Sequence, residues 1–110
     1  MAMQRVNPAS RARFADDKMQ KVALFESPRF FCDVYCLKPG QAQRVHAHAD
    51  ADKIYYVLNG HATVQVGDEE AEVEGGVAIL APAGTAHGVS NRSDDPLTLL
   101  VFMAPQPSHG

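Results

Sequence analysis

Three histidines are the residues of this chain best placed to do chemistry. His46 and His48 are two residues apart, so on a β-strand their imidazoles leave the same face, close to each other. His87 lies far along the chain, at the start of another candidate strand. Inward positions of distant strands meet inside a closed β-barrel, so the three imidazoles can reach one metal ion. The three histidines are therefore candidate ligands of one metal ion, and the alternative is that each is a hydrogen-bonded surface or core residue.

The other two histidines have no such arrangement in the sequence. His61 follows the turn Asn59-Gly60, and His109 is one residue from the end. A lone histidine on a strand is usually a hydrogen-bonded surface or core residue. We predict that both are solvated surface groups.

Glycine, proline and histidine recur in this chain at two sets of fixed spacings. The first set is Gly40, five residues, His46, one residue, His48 and later Gly60. The second set is Gly76, five residues, Pro82, one residue, Gly84, two residues, His87, three residues and Asn91. At average residue frequencies of about 5%, five fixed matches arise by chance on the order of once per million starting positions. The two sets resemble the two motifs of the cupin family, and with the flanking strands they span nearly the whole chain.

The resemblance implies a small jelly-roll barrel that encloses a divalent metal ion. In the family, the ligands are two histidines and a glutamate of the first motif and the histidine of the second. Carried over, the histidines are His46, His48 and His87, and the ion is Fe, Zn, Mn or Ni. The glutamate is missing, because the position six residues before Gly60 is Lys53. A protonated ammonium is no metal ligand and repels a dication.

Three accounts of Lys53 remain open. In the first, the three histidines alone hold the metal, and Lys53 turns aside or pairs with an acid. In the second, Asp50 or Asp52 supplies the carboxylate, although Asp52 is one residue out of register with position 53. In the third, no metal binds tightly, and Lys53 with the histidines forms an anion-binding pocket.

The strand after Lys53 indicates which further side chains line the cavity. If position 53 faces inward, Tyr55 and Val57 do too, whereas Ile54, Tyr56 and Leu58 pack on the opposite face. Lys53 would orient an anionic group or stabilise developing negative charge, and Tyr55 would hydrogen-bond a substrate oxygen. We name Lys53 and Tyr55 as candidate catalytic residues; the alternative for Tyr55 is an aromatic that only fills the barrel.

The elements that must position these residues are short strands separated by turn residues. Apolar and polar residues alternate with a period of two, and Asn-Gly, Gly-Asp, Gly-Gly and Asp-Pro pairs interrupt them. The predicted strands are residues 21–25, 30–37, 42–47, 54–58, 62–66, 71–74, 77–80, 86–90 and 97–103. Residues 7–20 can hold a single helical turn. The prediction is an all-β fold of two antiparallel sheets, with an N-terminal arm (1–20) and one barrel domain (21–110).

Composition excludes several function classes. The 110 residues carry 10 Lys and Arg against 13 Asp and Glu, so the chain lacks the basic face that nucleic-acid binding needs. No apolar run approaches the roughly 20 residues of a membrane span, and residues 1–15 do not resemble a secretory signal. Cys32 and Cys36 lie about 13 Å apart on a regular strand, too far for a disulfide. Reduced thiols of this kind predict a cytoplasmic protein.

Two function classes fit these residues. The first is a metal-dependent enzyme of oxygenase or isomerase type that acts on a small polar or carboxylate-bearing molecule. The second is a binding or sensing module that captures a small molecule or metal without turnover, because one barrel fold hosts many activities. Exposed β-edges and the resemblance to small cupins also predict a homodimer, with the arm as a candidate contact.

Overall fold

The structure is a computed structural model that describes residues 2–106. The elements are α1 (Pro8–Arg11), β1 (Gln20–Ser27), β2 (Phe30–Leu37), β3 (Ala42–His46), β4 (Asp52–Asn59), β5 (His61–Val66), β6 (Glu69–Glu74), β7 (Ala78–Ala81), β8 (His87–Ser90) and β9 (Leu97–Ala104). Each predicted strand overlaps one of these nine, and α1 lies where a helical turn is predicted. No helix among residues 2–106 is long and apolar enough to cross a membrane. His109 lies outside the described residues.

The strands form two antiparallel sheets. The larger has the order β1-β2-β9-β4-β7, and the smaller has the order β3-β8-β5-β6. Strands that are distant in sequence are neighbours in both sheets, as β2 and β9 are, so the fold is not a simple meander. The predicted all-β fold of two antiparallel sheets is confirmed.

The core lies between the two sheets and comes from alternate residues of their strands. Along β4 the exposed and buried positions alternate, because successive side chains of a strand point to opposite faces. The buried side chains of the main cluster are Tyr35, Leu37, Tyr55, Val57, Ala62, Val64, Val89, Leu97, Leu99 and Val101. Residues from both sheets therefore close one apolar interior.

Glycine is required at the hairpin between β4 and β5. Gly60 has φ +97°, and a Cβ at this position would lie 2.5 Å from the carbonyl oxygen of Pro96. Gly84, in the turn before β8, has φ +80°. Gly60 and Gly84, which belong to the two motifs, thus have the positive φ that glycine adopts without steric cost.

The residues before β1 lie against the outer face of the larger sheet. Ala12 and Phe14 pack on a small cluster of Val22, Val34 and Cys36, and the backbone N–H of Arg13 donates to Cys36 Sγ. The side chain of Gln41 donates to the carbonyl oxygen of Ala15, and Lys38 pairs with Asp16. The arm is therefore in contact with its own barrel, and its role between two chains stays a prediction.

Beyond the arm, the outer face of the larger sheet carries exposed apolar side chains. Ile54 on β4 lies opposite Leu80 on β7 and Phe102 on β9, so the three form a row across neighbouring strands. Phe30 stacks on Phe102 with ring centroids 5.4 Å apart. The strand β9 is apolar on both faces. Its outer face is only partly covered by other side chains, because Phe102 is exposed there.

Candidate metal centre

Backbone register brings two of the three histidines together. His46 and His87 are direct partners in the antiparallel pair β3–β8, and their ring centroids are 4.6 Å apart. His48 follows β3, with its ring centroid 4.8 Å from that of His46 and 5.8 Å from that of His87. One ligand nitrogen of each ring lies within 4.8 Å of the others. The sequence prediction that these three side chains converge agrees with this geometry.

Two backbone carbonyls fix how the rings are oriented. His46 Nδ1 lies 2.7 Å from the carbonyl oxygen of Arg44, and His87 Nδ1 lies 2.9 Å from that of Thr85. A carbonyl oxygen can only accept, so each Nδ1 carries the proton and donates it. The proton-free Nε2 of each ring is then available as a ligand, which is the usual second contact of a metal-binding histidine.

The Nε2 of His87 has no hydrogen-bond partner. It is a buried polar atom without a partner among the described residues. Such an atom loses the stabilisation of water without any replacement. A metal ion held with His46 and His48 would satisfy it, so the donor set fits a divalent ion.

The surroundings of His87 and His48 favour their neutral imidazole form. Burial lowers the pKa of His87 to about 4, and the charges of Lys53, His46 and His48 act in the same direction. Burial also lowers the pKa of His48, and the charges of His46, Lys53 and Lys21 lower it further. A neutral imidazole is the form that binds a metal.

Lys53 and Tyr55 both point into the barrel. Lys53 is 1% exposed and Tyr55 is 0% exposed, whereas Ile54 and Tyr56 face outward, so the predicted alternation of this strand agrees with the structure. The Tyr55 ring centroid is 6.1 Å from that of His87. Burial lowers the pKa of the Lys53 amine to about 7. The two predicted catalytic residues therefore lie beside the histidine cluster.

A glutamine that sequence reasoning missed joins these residues. Gln43 Oε1 accepts from Lys53 Nζ at 3.3 Å and from the Tyr55 hydroxyl at 2.9 Å. Its amide nitrogen donates to the Tyr35 hydroxyl at 3.2 Å. Gln43 thus connects the smaller sheet to the larger one. Its position three residues before His46 was the available signal, but a glutamine on a strand predicts nothing by itself.

The structure corrects the placing of Lys53 in the first account, because Lys53 does not turn aside from the interior, and it corrects the carboxylate ligand of the second account. The hydrogen-bond partner of Lys53 is the neutral Gln43, and none of the ion pairs among the described residues includes Lys53, so it does not pair with an acid. Asp50 and Asp52 are exposed, and Asp52 accepts from the backbone N–H of Ala83 at 2.8 Å. Neither carboxylate belongs to the histidine cluster. Asp52 is out of register with position 53 and therefore faces away.

The remaining singled-out residues lie away from the cluster. Cys32 and Cys36 are free thiols, and Cys36 packs under the arm on the outer side of the larger sheet. His61 is exposed and lies 3.8 Å from a carboxylate oxygen of Glu74. Asn91, the last residue of the second motif, donates to the carbonyl oxygens of Leu37 and Asp95, which is a structural role.

Comparison with known proteins identifies the family. The sequence model described as "Cupin domain" matches residues 33–103, which include all three histidines. The chain is a cupin.

Relatives and solved structures agree with this assignment. The uncharacterized protein SCO3923 of Streptomyces coelicolor is 36% identical to this cupin over 73 residues, which are 66% of this chain and 69% of the relative. The crystal structure of TT1209 from Thermus thermophilus is 48% identical, with a TM-score of 0.93 over 96% of this chain and 100% of that one. An RmlC-like cupin from Desulfovibrio desulfuricans is 29% identical, with a TM-score of 0.84 over 96% and 99%. Two other curated relatives match over 56% and 46% of their length, so this cupin spans about half of each.

Proposed function

We propose that this cupin binds one divalent metal ion through His46, His48 and His87 and uses it to transform a small carboxylate-bearing molecule. The observation that carries the proposal is the buried His87 Nε2, which has no hydrogen-bond partner among residues 2–106 and lies beside two further imidazoles. Packing alone does not favour an unpaired buried nitrogen. The proposed ion is Fe, Zn, Mn or Ni, and imidazole ligands suit Fe, Zn and Ni in particular.

The three histidines hold the ion, and the backbone hydrogen bonds of His46 and His87 keep their Nε2 atoms directed at it. The bound ion would supply Lewis acidity, or oxygen chemistry in the case of iron, and the reaction class we propose for it is that of an oxygenase or isomerase. The remaining steps of the proposal concern the chain's own side chains.

Lys53 and Tyr55 are the proposed catalytic residues. With a pKa of about 7, Lys53 exists as both amine and ammonium near neutral pH, so it can hold a proton or release it. As an ammonium it stabilises negative charge on the substrate in a water-poor interior. Tyr55 donates to Gln43 in the absence of substrate and would donate to a substrate oxygen instead.

A second candidate function is a binding or sensing module without turnover. It is favoured by the histidine cluster, which contains no carboxylate among the described residues, and by Lys53 and Tyr55, which already bond to Gln43. In that case the same pocket retains a small molecule or a metal. The assay below separates the two functions.

We also propose that this cupin is a cytoplasmic homodimer. The two free thiols favour a reducing compartment. The exposed row of Ile54, Leu80 and Phe102 on the larger sheet is a candidate surface for contact between two copies.

The first experiment measures metal content and its dependence on His46. Elemental analysis of tag-free protein is expected to give close to one first-row metal per chain, and His46→Ala is expected to lose it while its circular dichroism stays that of a folded β-protein. His61→Ala is the matched control, because His61 is exposed and outside the cluster. A wild-type protein that takes up none of Fe(II), Zn(II), Mn(II) or Ni(II) contradicts the proposal.

The second experiment separates the enzyme from the sensor. Metal-loaded protein is incubated with thiols, diketones and phenolic acids while oxygen consumption and product formation are followed. Turnover that is lost in Lys53→Met supports the enzyme. Saturable binding without turnover across the panel supports the sensing module.

A further inference from the structure

Two lysine ammonium groups lie against the ring of one buried tyrosine. Lys53 Nζ is 5.2 Å and Lys21 Nζ is 5.3 Å from the ring centroid of Tyr35. Lys21 on β1 is the direct cross-strand partner of Tyr35 on β2, so the two side chains share the inner face of the sheet. Lys53 reaches the same ring from β4. The metal site by itself does not need two cations on this surface.

The buried lysine has no anionic partner among residues 2–106. Lys53 is 1% exposed, and its only hydrogen bond within that range goes to the neutral carboxamide oxygen of Gln43 at 3.3 Å. Ring faces of Tyr35 and Tyr55 surround it, the latter with its centroid at 5.1 Å. A buried ammonium is costly unless it is paired, and two of its three donors are free for a ligand.

Two carboxylates share this region with the two lysines, but none of the ion pairs among the described residues joins them. Asp33 is half-buried and lies on the same strand as Tyr35, two residues earlier. Burial raises the pKa of Asp33, the charges of Lys21 and Lys53 lower it, and the charge of Glu26 raises it. After burial and the charge of His46, the charges of Lys53 and Lys21 also lower the pKa of His48, so the two lysines act on the histidine cluster as well. A metal ion there would add further positive charge.

We propose that Lys21 and Lys53, which both lie against the ring of Tyr35, form the recognition site for the carboxylate of a small organic anion. Lys53 binds the carboxylate in the interior, and the exposed Lys21 attracts it at the edge strand and holds it more weakly. This assignment rests on the proposed function, because it places the substrate next to the histidine cluster. It adds Lys21, outside both cupin motifs, as a specificity-determining residue.

The experiment is a calorimetric titration with pyruvate, using methyl pyruvate as the uncharged match. Metal-free and Zn(II)-loaded proteins are compared as wild type, Lys53→Met, Lys21→Gln and Lys18→Gln. Lys18 is the matched control, since it is exposed and its loss changes the net charge by the same amount. We expect Lys53→Met to weaken pyruvate binding at least about tenfold, as for a buried charge-assisted hydrogen bond. Lys21→Gln should weaken it about three- to fivefold, as for an exposed ion pair.

The ester and the control variant decide the outcome. Binding of methyl pyruvate should change less than about twofold in either lysine variant, and Lys18→Gln should bind pyruvate like the wild type. Equal losses for acid and ester, equal effects of Lys18→Gln and Lys21→Gln, or no pyruvate binding by wild type overturn the assignment. Because Lys21 is exposed, its variant tests the site even if Lys53→Met does not fold.

Failure of this site and failure of the proposed function give different results. If the variants and the wild type bind one Zn(II) per chain but neither lysine substitution changes the affinity for pyruvate, the proposed carboxylate site is wrong and the proposed metal centre is retained. If no metal binds but pyruvate affinity depends on Lys21 and Lys53, the carboxylate site stands and the metal centre is wrong.

Discussion

Position 53 decides how many ligands the centre offers. In the first cupin motif this position is a glutamate, and in this chain it is a lysine whose side chain points into the barrel. We expect Lys53→Glu to tighten Zn(II) binding at least about tenfold, because it removes a repelling charge and adds a carboxylate ligand. Competition with a chelator measures the affinity. Lys53→Met, which removes the charge and adds no ligand, is the control. If both variants bind Zn(II) with the affinity of the wild type, position 53 does not face the metal ion.

The same lysine makes stability depend on pH just above neutrality. Burial lowers its pKa from 10.5 to about 7, while the unfolded chain keeps the ordinary value. Between those values the unfolded state binds a proton that the folded state lacks. The free energy of unfolding therefore rises with pH, by at most about 1.4 kcal/mol per pH unit.

Urea denaturation of metal-free protein at pH 7.5 and 8.5 measures this dependence. The difference between wild type and Lys53→Met cancels the titration of other groups, including the two thiols. We expect wild type to gain stability relative to the variant as pH rises. Parallel changes in the two proteins would show that Lys53 titrates normally in the folded state.

The sequence predicts some of the site residues and not others, for a physical reason. His46, His48, His87, Lys53 and Tyr55 lie on or beside strands whose two-residue period fixes which face each side chain takes. Gln43 and Tyr35 could not be found in this way, because their roles depend on a contact between the two sheets. Lys21 and Asp33 acquire their significance only from the pairing of β1 with β2.

The strands were predictable because turn residues separate them, and Gly60 is the clearest case. We expect Gly60→Ala to destabilise the fold by more than about 3 kcal/mol, because its Cβ would meet the backbone of Pro96 at 2.5 Å and its φ is +97°. Gly40→Ala is the matched control. Gly40 has φ +84° but no atom within 4 Å of an added Cβ, so only the backbone term of about 1–2 kcal/mol applies. Thermal and urea unfolding measure both, and equal losses would show that the contact with Pro96 relaxes.

The order of the strands in the sheets could not be read from their periodicity. The alternation of apolar and polar residues shows that a strand has one buried face, but it does not show which other strand pairs with it. The pairing of β2 with β9 joins residues far apart in the chain, such as Cys32 and Phe102. The periodicity also does not indicate the shift of register in β3 between Gln43 and His46. This irregularity places His46 opposite His87.

The exposed apolar row on the larger sheet leads to a prediction about assembly. Leu80 is 56% exposed and lies in one row with Ile54 and Phe102, so burial against a second copy would remove apolar surface from water. We expect wild type to be a dimer by light scattering and Leu80→Glu to shift it toward monomer. Gln65→Glu, which adds the same charge on β5 in the other sheet, should leave the dimer intact. A monomeric wild type, or equal effects of both variants, would contradict this interface.

The cross-strand pairing of His46 with His87 has a consequence for how folding and ligation are linked. Ladder hydrogen bonds between β3 and β8, and not the ion, set the separation of these two rings. The cavity for the ion is thus preorganised, in contrast to small zinc domains that are unfolded without metal. Ligation would raise the melting temperature by mass action alone, in proportion to the logarithm of free metal concentration. The protein without metal would therefore stay folded, with the rings of His46 and His87 already side by side.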